Sequence, residues 1–213
     1  MKISRIEKLC NAFLIGHPSE NGDPGIPCPQ FSLVKGAMLM KSMRSDIALP
    51  ATLLAVLMFF VTACADSYFD EGTKYLDKGE YEKAIGMYEK AIEVDPKYAA
   101  AYGSKGLALD GLGRHEEAIK MFDKVIQLDP EDSKGYGNKG VALHHLGRYE
   151  DALKMYDKAM KLNPRNAAFY ARKGVALYDL GRYEDALKMY DSAIKLEPAR
   201  GVFYGSKGLA LRK

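Results

Sequence analysis

Histidine is the side chain most often used for catalysis and metal binding near neutral pH. His144 and His145 are adjacent, so on a helix their side chains point about 100° apart and do not form the i, i+4 pair that binds zinc. His115 stands at a position that is tyrosine in three equivalent segments, which indicates a packing role; these are Tyr81, Tyr149 and Tyr183. We therefore expect no catalytic residue, no metal site and no cofactor.

A second candidate for chemistry is the glycine-rich segment 135–140, which contains three glycines. A phosphate-binding loop of this composition follows a β-strand and opens a helix. No strand pattern precedes residue 135, so the segment is interpreted as the first turn of a helix. We expect no phosphate site there.

Cys64 is the third candidate, because it ends the string 61–64, Val-Thr-Ala-Cys. That string resembles the bacterial lipobox, in which the chain is cleaved before the cysteine and lipid is attached to it. The string lies at the end of the apolar run 47–65, and Lys41 and Arg44 precede that run, which is the layout of an export signal. Residues 40–64 are therefore interpreted as a signal peptide with lipid attachment at Cys64.

Two alternatives to lipid attachment remain open for the apolar run. It is long enough to cross a bilayer as an uncleaved helix, and it could also be a buried hydrophobic helix. Lipid attachment and an uncleaved anchor imply the same topology: Lys41 and Arg44 stay in the cytoplasm, and the repeats that follow the apolar run lie outside. We expect a membrane-anchored protein of the cell envelope.

Residues 1–39 fit neither a signal nor a folded domain. The segment 16–30 has four prolines without helical or strand periodicity, which predicts disorder. We expect a doubtful extension, with translation starting at Met40 or Met43. Cys10 and Cys28 lie within it and lack zinc or redox spacing.

Charge excludes one class of partner. Six of the 31 Lys and Arg residues and four of the 28 Asp and Glu residues precede Cys64, so the remaining chain has a net charge of +1. Nucleic-acid-binding domains favour basic stripes. We therefore expect no nucleic-acid partner.

The elements that carry these residues recur with a period of 34 residues. The register is held by Pro96, Pro130, Pro164 and Pro198; by Gly72, Gly106, Gly140, Gly174 and Gly208; by Gly79, Gly113, Gly147 and Gly181; by Ala84, Ala118, Ala152 and Ala186; and by Tyr68, Tyr102, Tyr136, Tyr170 and Tyr204. This period is typical of stacked helix–turn–helix units.

Each unit predicts two helices. An apolar stripe at helical spacing follows Gly147 in the third unit: Ala152, Leu153, Tyr156, Ala159 and Met160. Glycine is expected to close the first helix of each unit, and proline to end the second. Small residues such as Gly140 and Ala152 should let the two backbones approach closely, with tyrosines filling the space between neighbours.

Residues 65–213 resemble tetratricopeptide repeats on these positions. The unit 133–166 places Tyr136, Gly140, Ala152, Tyr156, Ala159 and Pro164 where the family pattern has an aromatic, Gly, Ala, an aromatic, a small residue and Pro. The resemblance implies an all-α fold, a right-handed α-solenoid with full units 65–98, 99–132, 133–166 and 167–200 and a half unit 201–213. One departure is lysine at the usually apolar seventh position; we expect its methylenes to pack while its ammonium reaches water.

The resemblance also implies a binding groove lined by the first helix of each unit. Its expected residues are Gly103, Leu107, Lys134, Gly137, Asn138, Val141, His144, Ala171, Arg172, Val175 and Tyr178. A floor of small and aliphatic side chains would admit a peptide or helix of a partner protein. Alternatively, the glycines and alanines only reflect duplication of the repeat.

The predicted function is a membrane-tethered scaffold that binds a protein partner and is not an enzyme. By family analogy it would act in envelope assembly. Two alternatives remain: the repeats precede a catalytic domain in a longer enzyme, or the chain associates with itself through the half unit.

Overall fold

The computed structural model describes the backbone of residues 51–213 and the side chains from residue 62 onward. Nine α-helices and no strands occur in that part: α1 Ala51–Asp77, α2 Tyr81–Val94, α3 Ala99–Gly111, α4 His115–Leu128, α5 Ser133–His145, α6 Tyr149–Leu162, α7 Ala167–Asp179, α8 Tyr183–Leu196 and α9 Gly201–Ala210. The predicted all-α repeat fold is confirmed.

Sequential helices pack in pairs, and the pairs stack. Helices α3 and α4, α5 and α6, and α7 and α8 form pairs, while α4 with α5, α6 with α7 and α8 with α9 join one pair to the next. The first helices also contact one another, α3 with α5, α5 with α7 and α7 with α9. Because of these contacts, the surfaces of α3, α5 and α7 adjoin as one strip.

The turns inside the pairs use glycine for its left-handed backbone, as predicted. Gly147 has φ of +73°. The N–H of Gly147 donates to the His144 carbonyl at 2.9 Å, and the N–H of Arg148 donates to the Leu143 carbonyl at 2.9 Å. This is the Schellman arrangement that closes a helix. The second helices end just before the repeated prolines; α6 ends at Leu162, ahead of Pro164.

The core is a row of buried alanines and aromatic rings from the second helices. Ala152 is 0% and Tyr156 2% exposed. The rings that fill the space beside the first helices are those of Tyr88, Phe122, Tyr156 and Tyr190. The tyrosines at the fourth position lie nearer the surface, where the Tyr170 hydroxyl donates to the Pro164 carbonyl at 3.1 Å. Burial raises the pKa of the Tyr156 phenol well above its usual value and that of Tyr190 to about 12.

The amino-terminal helix continues through the predicted boundary at residues 64 and 65. Helix α1 has no break between Ala51 and Asp77. Tyr68–Lys213 packs as one unit. Within the described residues, no helix combines the length and apolarity needed to span a bilayer. Residues 1–39 and the part of the predicted signal up to residue 50 lie outside the described residues, so the interpretations given for them stay predictions.

Candidate binding surface

The predicted groove residues lie on α3, α5 and α7, the helices that form the strip. Leu107 is 43% exposed and Val175 37% exposed. Lys134 and Arg172 are also exposed, whereas Asn138 and Val141 are half-buried between them along the strip. The remaining predicted residues are half-buried, apart from Gly137; they are Gly103, His144, Ala171 and Tyr178.

An aliphatic column runs along this strip at the ninth position of each unit. Its members are Leu107, Val141, Val175 and Leu209, spaced 34 residues apart. Leu209 is 57% exposed, and Val141 packs partly against the core. Soluble domains seldom leave a row of aliphatic side chains in water without a use for it. The column is the main apolar feature of the strip.

Gly137, predicted to line the groove, does not lie on the surface of the strip. It is buried, and a Cβ atom placed on it would overlap the ring of Phe169 from the next unit. Phe169 is itself 2% exposed. Gly137 therefore belongs to the packing between units and offers no surface to a partner. At the equivalent Gly103 a Cβ atom would meet only Val125 Cγ2, at 3.8 Å, because the unit that follows has Gly135 where Phe169 stands.

His144 links two units at the edge of the strip. Its Nε2 lies 2.7 Å from Asp179 Oδ2 of the following unit. Its ring also lies against Tyr149, with centroids 5.2 Å apart. The neighbouring His145 ring has its centroid 6.1 Å from that of His144, and it is directed toward Asp110 and not toward Asp179.

Sequence reasoning missed a polar cluster formed by Asp110, His115 and His145. The Nδ1 atom of His115 lies 2.7 Å and that of His145 3.2 Å from Asp110 Oδ1. His115 therefore pairs with a carboxylate, in addition to replacing a tyrosine. The signal in the sequence was spacing: His145 follows Asp110 by 35 residues, one repeat plus one residue, which places them at the ends of neighbouring first helices.

The seventh-position lysines form a ladder of ion pairs between units. Lys139 Nζ lies 2.5 Å from Asp123 Oδ1 on α4, and Lys207 Nζ lies 2.5 Å from Asp191 Oδ1 on α8. Lys105 pairs with Glu89 and Lys173 with Asp157 in the same way. Each ammonium group reaches the protein surface, where it pairs with an exposed carboxylate of the preceding unit. Each pair joins a first helix to the second helix before it.

A second set of exposed ion pairs lies at the starts of the second helices, between residues three apart in the sequence. The guanidinium of Arg148 donates to Asp151 Oδ2 at 2.7 Å, and this hydrogen bond holds the pKa of the Asp151 carboxyl below its usual value. Arg182 and Asp185 repeat the arrangement. A surface cavity of about 280 Å³ beside them has Leu153, Asp157, Lys173, Leu177, Arg182, Asp185, Lys188 and Met189 in its walls. Its charged groups already pair with one another, so it offers little to a ligand.

Cys64 lies within α1, where it is half-buried. Its sulfur is disulfide-bonded in this structure. The other two cysteines, Cys10 and Cys28, precede the described residues. Lipid attachment at Cys64 stays a prediction.

The sequence of the chain matches models of a known protein family. A family model described as tetratricopeptide repeat matches residues 69–133 and 138–201, and a second model of that description matches 121–154. Together they span more than half of the chain. No curated protein matches the chain in sequence.

Several solved structures share the fold. A crystal structure of MamA protein is 26% identical, with 70% of this chain and 81% of that chain covered and a TM-score of 0.61. PilF of Pseudomonas aeruginosa is 21% identical, with 70% and 68% covered and a TM-score of 0.64. The first repeat domain of Spaghetti (RPAP3), bound to an HSP90 peptide, is 24% identical, with 56% and 95% covered and a TM-score of 0.55.

Proposed function

The chain belongs to the tetratricopeptide repeat family, and from this we propose that it is a scaffold protein that binds a segment of a partner protein along the strip of α3, α5 and α7. The observation that carries the proposal is the aliphatic column at the ninth position, which is exposed at Leu107 and Val175. The RPAP3 domain, which has the same fold, binds a peptide. An apolar strip with polar neighbours suits an extended or helical segment.

The charges beside the column favour acidic groups in that segment. Lys134 and Arg172 are exposed on α5 and α7, and neither takes part in an ion pair with the described residues. Asn138, one turn from Lys134, adds an amide that can donate and accept hydrogen bonds. We infer a partner segment with aliphatic side chains and at least one carboxylate.

A matched pair of variants tests the surface. Val175→Glu puts a charge into the column, whereas Leu196→Glu does so on α8 at a site of nearly equal exposure, 38% against 37%. A photo-cross-linking side chain at Leu107 should capture the partner in the parent chain and in Leu196→Glu, and should fail in Val175→Glu. Equal capture by both variants would show that the strip is not the binding surface.

We also propose that the scaffold is held at a membrane by lipid on Cys64, in the cell envelope and outside the cytoplasm, where it acts in assembly of envelope structures. Lipid attachment uses the Cys64 sulfur, so a lipid-bearing Cys64 and a disulfide at Cys64 exclude each other. Cys64→Ala should then abolish fatty-acid labelling and membrane attachment. Attachment that persists without label would support an uncleaved anchor instead.

Self-association is a second candidate, favoured by the exposed apolar side chains of the last helix. Val202 is 69%, Leu209 57% and Leu211 65% exposed. Burial of such side chains against a second copy would be favourable. Sedimentation of the full chain over a range of concentrations tests this; a constant monomer mass argues against it.

A further inference from the structure

We propose that Asp110, His115 and His145 bind a divalent transition-metal ion, of which Zn²⁺ is the best match, between the second and third repeats. The three residues each offer one ligand atom, and these atoms lie within 4.8 Å of one another. They come from the end of α3, the start of α4 and the end of α5. The ion would therefore tie two units together.

The geometry is close to what such an ion needs. Zinc–nitrogen and zinc–oxygen bonds are about 2.0–2.1 Å, so neighbouring ligands in a tetrahedral site lie about 3.3 Å apart. The two His–Asp separations, 2.7 and 3.2 Å, fall near that value. The remaining separation, between the ligand nitrogens of His115 and His145, is within 4.8 Å. Rotation of the His145 side chain, which is 44% exposed, would shorten it. The imidazole rings already lie side by side, with centroids 4.8 Å apart.

The donor set selects the metal. Two imidazoles and one carboxylate suit zinc and its neighbours in the first transition row, whereas Ca²⁺ and Mg²⁺ prefer oxygen ligands. The Asp110 side chain is 14% and that of His115 21% exposed, so two of the three ligands are held in place by packing. Three protein ligands leave a fourth position for water or for a group from a partner.

The other joints between units show that stacking alone does not require these residues. At the first joint the same three positions hold Leu76, Tyr81 and Gly111, at the third His144, Tyr149 and Asp179, and at the fourth Tyr178, Tyr183 and Lys213. Only at the second joint do two imidazoles and a carboxylate meet. Tyrosine fills the His115 position wherever the cluster is incomplete, and there it packs, as Tyr183 does against Tyr178 with ring centroids 5.3 Å apart.

This internal comparison provides a ligand variant that should fold. His115→Tyr restores the side chain found in the three other units, and His145→Ala truncates an exposed side chain. His144→Ala is the control, because His144 is adjacent in sequence but lies toward Asp179. Circular dichroism of each variant reports whether the helices are intact.

The experiment is calorimetric titration of the untagged, metal-free full chain with Zn²⁺, after its cysteines are reduced and alkylated so that thiols do not contribute. We expect one ion per chain, no response to Mg²⁺, and visible absorption by bound Co²⁺. Loss of a second-shell group costs about 10–100-fold in metal affinity, so His115→Tyr and His145→Ala should each lose at least that much. His144→Ala should bind like the parent. Absence of zinc binding by the parent, or an affinity for zinc in His115→Tyr and His145→Ala equal to that of the parent, would overturn the proposal.

Discussion

Gly140 on α5 and Tyr156 on α6 are in such close contact that a Cβ atom on the glycine would lie 2.6 Å from the tyrosine Cε1. The same relationship holds at Gly106 with Phe122, also at 2.6 Å, and at Gly174 with Tyr190, at 2.7 Å. Since the Tyr156 ring is buried, it has no room to retreat. The recurring spacing of glycine and ring within these units thus sets how near the two helices approach.

Gly140→Ala should therefore destabilise the protein. Overpacking of a core costs about 1–3 kcal/mol, which outweighs the gain of about 1 kcal/mol that alanine brings to a helix. Gly86 on α2 is the matched control, because a Cβ atom there would meet nothing within 4 Å. Gly86→Ala should raise the free energy of unfolding in urea. A Gly140→Ala protein as stable as the parent would contradict the packing described.

Gly137 and Gly103 occupy equivalent positions, but only at Gly137 should substitution by alanine destabilise the protein. Gly137→Ala should lower the unfolding free energy by about 1–3 kcal/mol, because the new methyl group overlaps the Phe169 ring. Gly103→Ala has room and should be neutral or stabilising. Urea unfolding of the two variants checks this, and a double variant with Phe169→Leu should recover part of the loss at Gly137. No recovery would mean that another contact sets the cost.

The ladder of ion pairs should contribute modestly and mainly through its lysine stems. Asp123→Asn should cost less than about 1 kcal/mol, because the carboxylate side chain is 52% exposed. That cost should vanish in about 1 M salt, where the Debye length is about 3 Å. Lys139→Ala should cost more at both salt concentrations, because the Lys139 side chain is 22% exposed and loses packed methylenes. Lys139→Met is the control, because it keeps an apolar side chain of similar length and removes only the charge. If Lys139→Met is as unstable as Lys139→Ala, packing of the methylenes is not the main source of the stability lost.

Tyr156 and Tyr190 make stability fall at high pH. Burial raises the pKa values of both phenols in the folded state, to about 12 for Tyr190, whereas an unfolded tyrosine titrates near about 10. Below about pH 10 both states keep the proton and stability is unaffected. Above it the unfolded chain loses protons that the folded chain retains, so the unfolding free energy falls by up to about 1.4 kcal/mol per pH unit for each tyrosine.

Tyr156→Phe and Tyr190→Phe should flatten that decline. Phenylalanine is compatible with the site, because Phe122 occupies the equivalent position in the second unit. Unfolding in urea at about pH 9 and about pH 11 measures how steeply the unfolding free energy falls with pH in the parent and in the variants. Lysines also titrate in this range, but their contribution is the same in every protein and cancels in the comparison. Identical slopes would show that neither phenol titrates differently on unfolding.

The sequence determined the secondary structure and the order of packing. The period of 34, the glycine turns and the proline ends predicted helix bounds that the structure places at those signals, because each signal acts on its own backbone. The alanine and aromatic positions also identified the core, since they repeat on one face of each helix. The predicted column at Leu107 and Val175 lies exposed on neighbouring helices.

Only the tertiary structure decided which residues meet across the joints between units. Asp110 and His145 lie 35 residues apart, and Gly137 and Phe169 lie 32 apart, so neither contact follows from the period itself. The angle at which one helix pair packs on the next sets these contacts, and it depends on side chains such as Phe169 or Gly135 that break the repeat. The repeat therefore predicted the units and the regular positions on their surface, while its irregular positions and their packing determined the contacts between units and the proposed metal site.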